Sequence, residues 1–240
     1  MKPWKIALVV TLITLAAGGT YLFTVWKHRQ DPGELGRIAA SQQPTMDDVA
    51  VVRTLSPRHF EDTLSLQGKS VWMKNGYTIS YYPYTAGRIV FARPTGVIPS
   101  AQRLDIKKIV KFPVPADVYD GMSHGTRQAF AVFALPAGPA LYATPIGTIL
   151  DTDEAYFCDL LFFYDDPHTI YDNWPKDVWA AIDAHQVKPG MSELQTRMAI
   201  GQDVHSDSHT VGDRSVTYNQ AGKHWTITYV NNRATTIENK

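Results

Sequence analysis

H-Q-V-K-P-G-M-S-E-L-Q-T-R-M-A-I-G, running from His185 to Gly201, is followed after a polar loop by three short segments: S-V-T-Y-N (Ser215–Asn219), H-W-T-I-T-Y-V (His224–Val230) and A-T-T-I-E (Ala234–Glu238). The fold turns on how this stretch is read. Pro189 and Gly190 break the chain just before Ser192, and Ser192 with Gln195 forms a capping-box pattern. Met191, Leu194 and Met198 then share one face, and Gly201 stands where a left-handed C-cap ends a helix. In the later segments Val216 and Tyr218, then Trp225, Ile227 and Tyr229, recur at period two. The joins at Gln220–Lys223 and Asn231–Asn232 are short enough for hairpins, and Asn tolerates the positive φ of a tight turn. The stretch therefore reads as a helix followed by a three-stranded antiparallel meander.

Just upstream, Asn173 to His185 carries a second helical pattern. Asn173 can cap, Pro175 suits a first turn, and Val178, Trp179 and Ile182 make one apolar face. Residues 172–240 are thus expected to form an ααβββ domain. The run K-P-G-M-S-E-L-Q-T-R-M-A-I-G, with S-V-T-Y-N and W-T-I-T-Y-V-N-N-R-A-T-T-I, resembles the SmpA/OmlA (BamE-like) domain family. That resemblance implies a non-catalytic scaffold of the bacterial envelope, with other envelope proteins as partners. Members of that family are typically lipoproteins acylated on a cysteine near the N-terminus, whereas the one cysteine of this chain is Cys158.

At the other end, Ile6 to Trp26 is a run of 21 residues without a charge, about 31 Å if helical, which is enough to cross a bilayer. Lys2 and Lys5 precede it, Lys27 and Arg29 follow it, and Trp4, Tyr21 and Trp26 take belt positions. Residues 1–26 are accordingly expected to be a membrane anchor, with a cleaved signal peptide as the alternative. Residues 27–48, punctuated by Pro32, Gly33, Gly36 and Pro44, read as a linker. The expected setting is a single-pass inner-membrane protein, held in the membrane through residues 6–26, with its folded part in the periplasm.

Residues 49–171 carry many short strand-like runs, an Asn75–Gly76 hairpin signal and closely spaced prolines, the pattern of a β-rich domain. A small barrel or SH3-like arrangement is expected, with L-Y-A-T-P-I-G-T-I (Leu141–Ile149) as a strand pair around a Pro-Gly turn. Tyr156 to Tyr164, apolar apart from Asp159, reads as the central strand. The whole chain is then of the α+β class. Its 23 basic and 23 acidic residues balance, which leaves no basic field to hold nucleic acid.

Several residue sets have the chemistry of a site. Gly121-Met-Ser123-His-Gly125 matches G-x-S-x-G, and a membrane-tethered hydrolase would use Ser123 with His168 and Asp151 or Asp165. A nucleophile elbow needs a strand before the serine and a helix after it, but a strand pattern follows, so a plain loop is the better reading. His205, Asp207 and His209 can converge on zinc if they alternate along a strand, yet their Ser- and Asp-rich surroundings read as a solvated loop. Tyr77, Tyr81, Tyr82 and Tyr84 offer a stacking surface. Asp151, Asp153 and Glu154 look like a turn, and Cys158 like core packing. No cofactor is implied. The expected function is binding or scaffolding, with a cell-wall-binding module as another alternative. The partner surface is one face of the meander, either Tyr218, Trp225, Ile227 and Tyr229 or the set His224, Thr226 and Thr228.

Overall fold

The structure, a computed structural model, describes residues 48–74, 79–118, 127–150, 153–220 and 223–239. The segment 6–26, the linker up to residue 47, the Asn75–Gly76 signal, Tyr77, Ser123 with its glycines, and Asp151 lie outside the described residues. Residues 44–240 belong to one compact unit.

That unit is built on two antiparallel sheets. A short helix α1 (Phe60–Thr63) leads to strands β1 (Ser70–Met73), β2 (Ser80–Thr85), β3 (Arg88–Ile89), β4 (Gly96–Val97), β5 (Arg103–Pro113), β6 (Arg127–Ala134), β7 (Leu141–Ile149) and β8 (Glu154–Tyr156). Helical turn α2 (Cys158–Leu161), strand β9 (Phe162–Phe163) and helices α3 (Pro167–Ile170), α4 (Lys176–Asp183) and α5 (Glu193–Ile200) follow. Strands β10 (Asp203–Ser206), β11 (Ser215–Gln220), β12 (Lys223–Val230) and β13 (Arg233–Asn239) complete the order. The larger sheet runs β3-β2-β7-β6-β5-β1-β9, with β4 on β2 and β8 on β7; the smaller runs β10-β11-β12-β13.

The centre of the larger sheet is β6. After Arg127 every residue of R-Q-A-F-A-V-F-A is buried, the continuous apolar signature of a strand covered on both faces. Ala129, Ala131 and Phe133 join one apolar cluster with Leu104, Ile106, Ile109 and Ile146, while Phe130 and Val132 join another with Tyr82 and Ala143. In β5 the register slips between Ile106 and Lys108. That bulge is why Ile106 and Ile109, an odd number of residues apart, reach the same core.

The expected fold class needs correction in five places. Leu141–Ile149 is not a strand pair around a Pro-Gly turn but one strand, β7, whose register shift opposite Ala129 and Phe130 accommodates Pro145. A proline cannot donate to a ladder and is tolerated at such a bulge. Gly147 serves close approach: a Cβ there would lie 2.6 Å from the Ala155 carbonyl oxygen and 2.6 Å from the Tyr156 ring. The sheet shows no barrel closure among the described residues, since β3 and β9 end its path. Tyr156–Tyr164 is not a central strand either: it ends β8, turns through α2 and finishes at β9 on the edge beside β1. The cause is Asp159, whose carboxylate accepts from Leu55 N and Ser56 N (2.7 Å each) and from the Tyr164 hydroxyl (2.7 Å).

The fourth correction concerns the C-terminal ααβββ domain. Its sheet has four strands, because the polar D-V-H-S of β10 pairs at the edge of β11. An edge strand needs little apolar content, so hydrophobic periodicity does not reveal it. Overall the chain is mostly β, with two antiparallel sheets. The fifth correction concerns the membrane: among the described residues no helix is long and apolar enough to cross one. The longest of them, α4 and α5, have 8 residues each, about 12 Å of helix. The transmembrane and inner-membrane assignments are withdrawn on that finding.

The close approach at Gly147 gives a direct check. Gly147→Ala should lose about 1–3 kcal/mol in denaturant unfolding, because the Ala155 carbonyl is backbone that cannot swing away. Gly138→Ala, with nothing within 4 Å of its added Cβ, should stay within about 0.5 kcal/mol of the parent.

Candidate functional site

The smaller sheet has two unlike faces, and the sequence sets them. Along β12, Ile227 and Tyr229 are buried, Trp225 and Thr226 half-buried, and His224 and Val230 exposed. Ile227, Tyr229, Val216, Tyr218 and Ala234 pack with Val178, Trp179 and Ile182 of α4 and Met198 and Ala199 of α5. The inner face is thus the one formed by Tyr218, Trp225, Ile227 and Tyr229. The Tyr218 and Tyr229 hydroxyls meet at 3.0 Å inside it, and burial lifts both phenols, Tyr229 to about 12. These four residues serve as the floor of a core and are not an exposed surface.

The outer face carries short polar side chains. Cross-strand pairing aligns His205 with Thr217, Thr217 with Thr226 and Thr226 with Glu238. A second row runs Ser215, Thr228, Thr236. Ser215 Oγ and Thr228 Oγ1 lie 3.0 Å apart, and the Thr235 hydroxyl donates to the Thr228 carbonyl at 3.0 Å. Threonine is stiff about χ1 and suits a pleated surface, so this face is uncharged in its middle and its side chains are restricted in advance. No helix sequence signal marks it; what marks it is the period-two partner of the apolar set.

A knot of hydrogen bonds at the start of α5 holds the sheet in this orientation. Ser192 caps the helix, with Gln195 N donating to its Oγ at 3.2 Å and Ser192 N to Gln195 Oε1 at 2.9 Å. Ser192 Oγ donates in turn to Asp48 Oδ1, and Asn232 Nδ2 to Asp48 Oδ2, both at 2.9 Å. Asn232 Oδ1 accepts from Glu193 N at 3.1 Å. The Glu193 carboxylate, 1% exposed, accepts from Gly212 N at 3.1 Å and from the Arg214 guanidinium through both Nε and a terminal nitrogen. Asn231 and Asn232 have φ of 50° and 56°, the two left-handed residues of a tight hairpin. Gly212, at φ +85°, faces Asn232 so closely that a Cβ would sit 3.0 Å from Asn232 Cβ.

The remaining candidates disperse. His205, Asp207 and His209 are exposed and do not converge, since β10 stops at Ser206 and the Asp207 carboxylate accepts from Ser215 N at 2.8 Å. Among the described residues no group of three His, Cys, Asp or Glu side chains can hold a metal ion. His168 lies between Asp166 and Asp183, and Asp165 pairs with Arg53. Tyr82 is buried and Tyr81 packs between Phe133 and Tyr142, at 6.1 and 5.2 Å. Glu154 accepts from Phe60 N and the Tyr156 hydroxyl at 3.0 Å each. Burial pushes the Cys158 thiol up to about 12, with Asp159 adding to the effect, which makes it unreactive. Burial opposes the Asp159 charge, but the Leu55 and Ser56 amides, the Tyr164 hydroxyl and Lys74 overcome it and hold that carboxyl below its usual range.

No family model matches the chain, nor does any curated protein or solved structure.

Glu193 supplies the buried carboxylate that accepts from both the Arg214 guanidinium and Gly212 N. Glu193→Ala should therefore cost about 3–5 kcal/mol in equilibrium unfolding, and Thr226→Ala, on the open face, no more than about 0.5 kcal/mol.

Proposed function

We propose that this is a non-catalytic binding or scaffolding protein, which presents the outer face of its four-stranded sheet to a protein partner. The observation that carries the reading is the contrast between the two sheets. The central strand of the larger sheet is covered on both faces by apolar clusters. The smaller sheet buries Val216, Tyr218, Ile227 and Tyr229 on one side and leaves Ser215, Thr217, Thr226, Thr228 and Glu238 on the other. Stiff, pre-ordered side chains lose little freedom on docking. The engaged carboxylates support the same reading: buried Asp48 and Glu193 and half-buried Asp159 are each taken up in fixing backbone or a neighbouring side chain, the role of struts.

The test is photocrosslinking in cells that make the protein, with a photoreactive residue placed at Thr226 or, as a control, at exposed Leu160. A discrete protein adduct is expected from position 226 only, and it should vanish when Thr228→Arg is added. Adducts from both positions, or from neither, would contradict the proposal. A fluorophosphonate adduct lost in Ser123→Ala would replace it with the hydrolase reading.

A further inference from the structure

His168, in the first turn of α3, has a carboxylate at each ring nitrogen. Its Nδ1 lies 2.9 Å from Asp166 Oδ1 and its Nε2 lies 3.2 Å from Asp183 Oδ1. A neutral imidazole offers one donor and one acceptor, so it can serve only one of two carboxylates; the other would face a lone pair. Only the imidazolium donates to both. The ring also stacks on the Trp179 indole, with centroids 4.0 Å apart and planes 27° apart, and an aromatic face favours the cation again.

The two carboxylates belong to different elements. Asp166 caps α3, accepting from His168 N at 2.9 Å, and Asp183 is the last residue of α4. Asp165, beside the cap, is turned to Arg53 at 3.1 Å. Behind His168 the aromatic column continues inward: Trp179 to Trp174 at 5.2 Å, Trp174 to Tyr171 at 4.3 Å, and Tyr171 to Phe163 at 6.3 Å. Helix α4 packs Val178, Trp179 and Ile182 into the core beneath the smaller sheet. The histidine thus sits at the outer end of a stack that reaches that core.

We propose that His168 is a proton-operated clasp between α3 and the end of α4, closed as the imidazolium and open when neutral. It makes the seating of α4 under the smaller sheet dependent on pH. Partial burial opposes the charge, but the hydrogen bonds and fields of Asp166 and Asp183 outweigh it and raise the ring above its usual 6.5. A raised folded value means that the clasp holds fully below the unfolded value and is lost as pH rises through the folded one.

The experiment is an NMR titration of the histidine rings in the full chain, with His168 assigned by His168→Gln, alongside amide exchange corrected for intrinsic base catalysis. The His168 midpoint is expected above 6.5. Amides of Val178–Asp183 should exchange roughly two- to fivefold faster once pH passes that midpoint. Asp183→Asn should lower the midpoint and remove the step in exchange. A midpoint at or below 6.5, flat protection through the titration, or an Asp183→Asn protein that titrates like the parent would overturn the proposal. The parent protein's own titration decides the matter if a variant fails to fold.

Discussion

The carboxylate of Asp48 joins three parts of the chain that are far apart in sequence. One oxygen takes the hydroxyl of the Ser192 cap and the other takes the amide of Asn232 in the β12–β13 turn. From there the network passes through Glu193 N, the Glu193 carboxylate, Gly212 N and Arg214. Buried polar groups are costly unless each finds a partner, so the partners fix one another's positions. The left-handed hairpin residues, the positive-φ Gly212 and the helix cap all meet at this point.

From Asp48 the chain runs on as a strap, without helix or strand, to Ser56. Ala50 and Val52 pack on the core of the smaller sheet, and Leu55 on that of the larger. The far end of the strap is held by Asp159, through Leu55 N and Ser56 N, and Arg53 donates to the Tyr164 carbonyl at 2.8 Å. Carboxylates therefore anchor the strap at both ends. With the smaller sheet seated on α4 and α5 in this way, its apolar set points inward, and its threonines face outward by the two-residue period alone. The binding face proposed for the protein is a consequence of that seating.

Much of the smaller sheet could be read in advance where local chemistry and tertiary packing agree. Ser192 with Gln195 forms its capping box, Gly201 ends α5 at φ 99°, and Val178, Trp179 and Ile182 form the buried face of α4. Period-two patterning found β11 and β12 but left open which side is inward, since Trp, Ile and Tyr suit a core and a binding surface equally. What could not be read depends on partners distant in sequence. Pro145 and Gly147 carry strong turn signals, yet a bulge and the crossing of β8 keep them in one strand. Asp159 reads as a lone interruption in an apolar strand, because two of the donors to its carboxylate, Leu55 N and Ser56 N, lie about a hundred residues earlier. Glu193 and Arg214 have the composition of solvated surface, and only the fold brings them together out of water. His168 reads from the sequence only as a partner for Ser123, because Asp183 and Trp179 reach it from the next helix.

Site-resolved hydrogen exchange on Asp48→Ala bears most directly on the claim that this polar knot seats the smaller sheet. The substitution leaves the Ser192 hydroxyl and the Asn232 amide without their buried acceptor. The amides of α5 and of the β12–β13 hairpin should lose protection together, by about 1–3 kcal/mol, with the deepest loss around Ser192 and Asn232. Unchanged exchange in both elements, or a loss confined to the strap itself, would contradict the account.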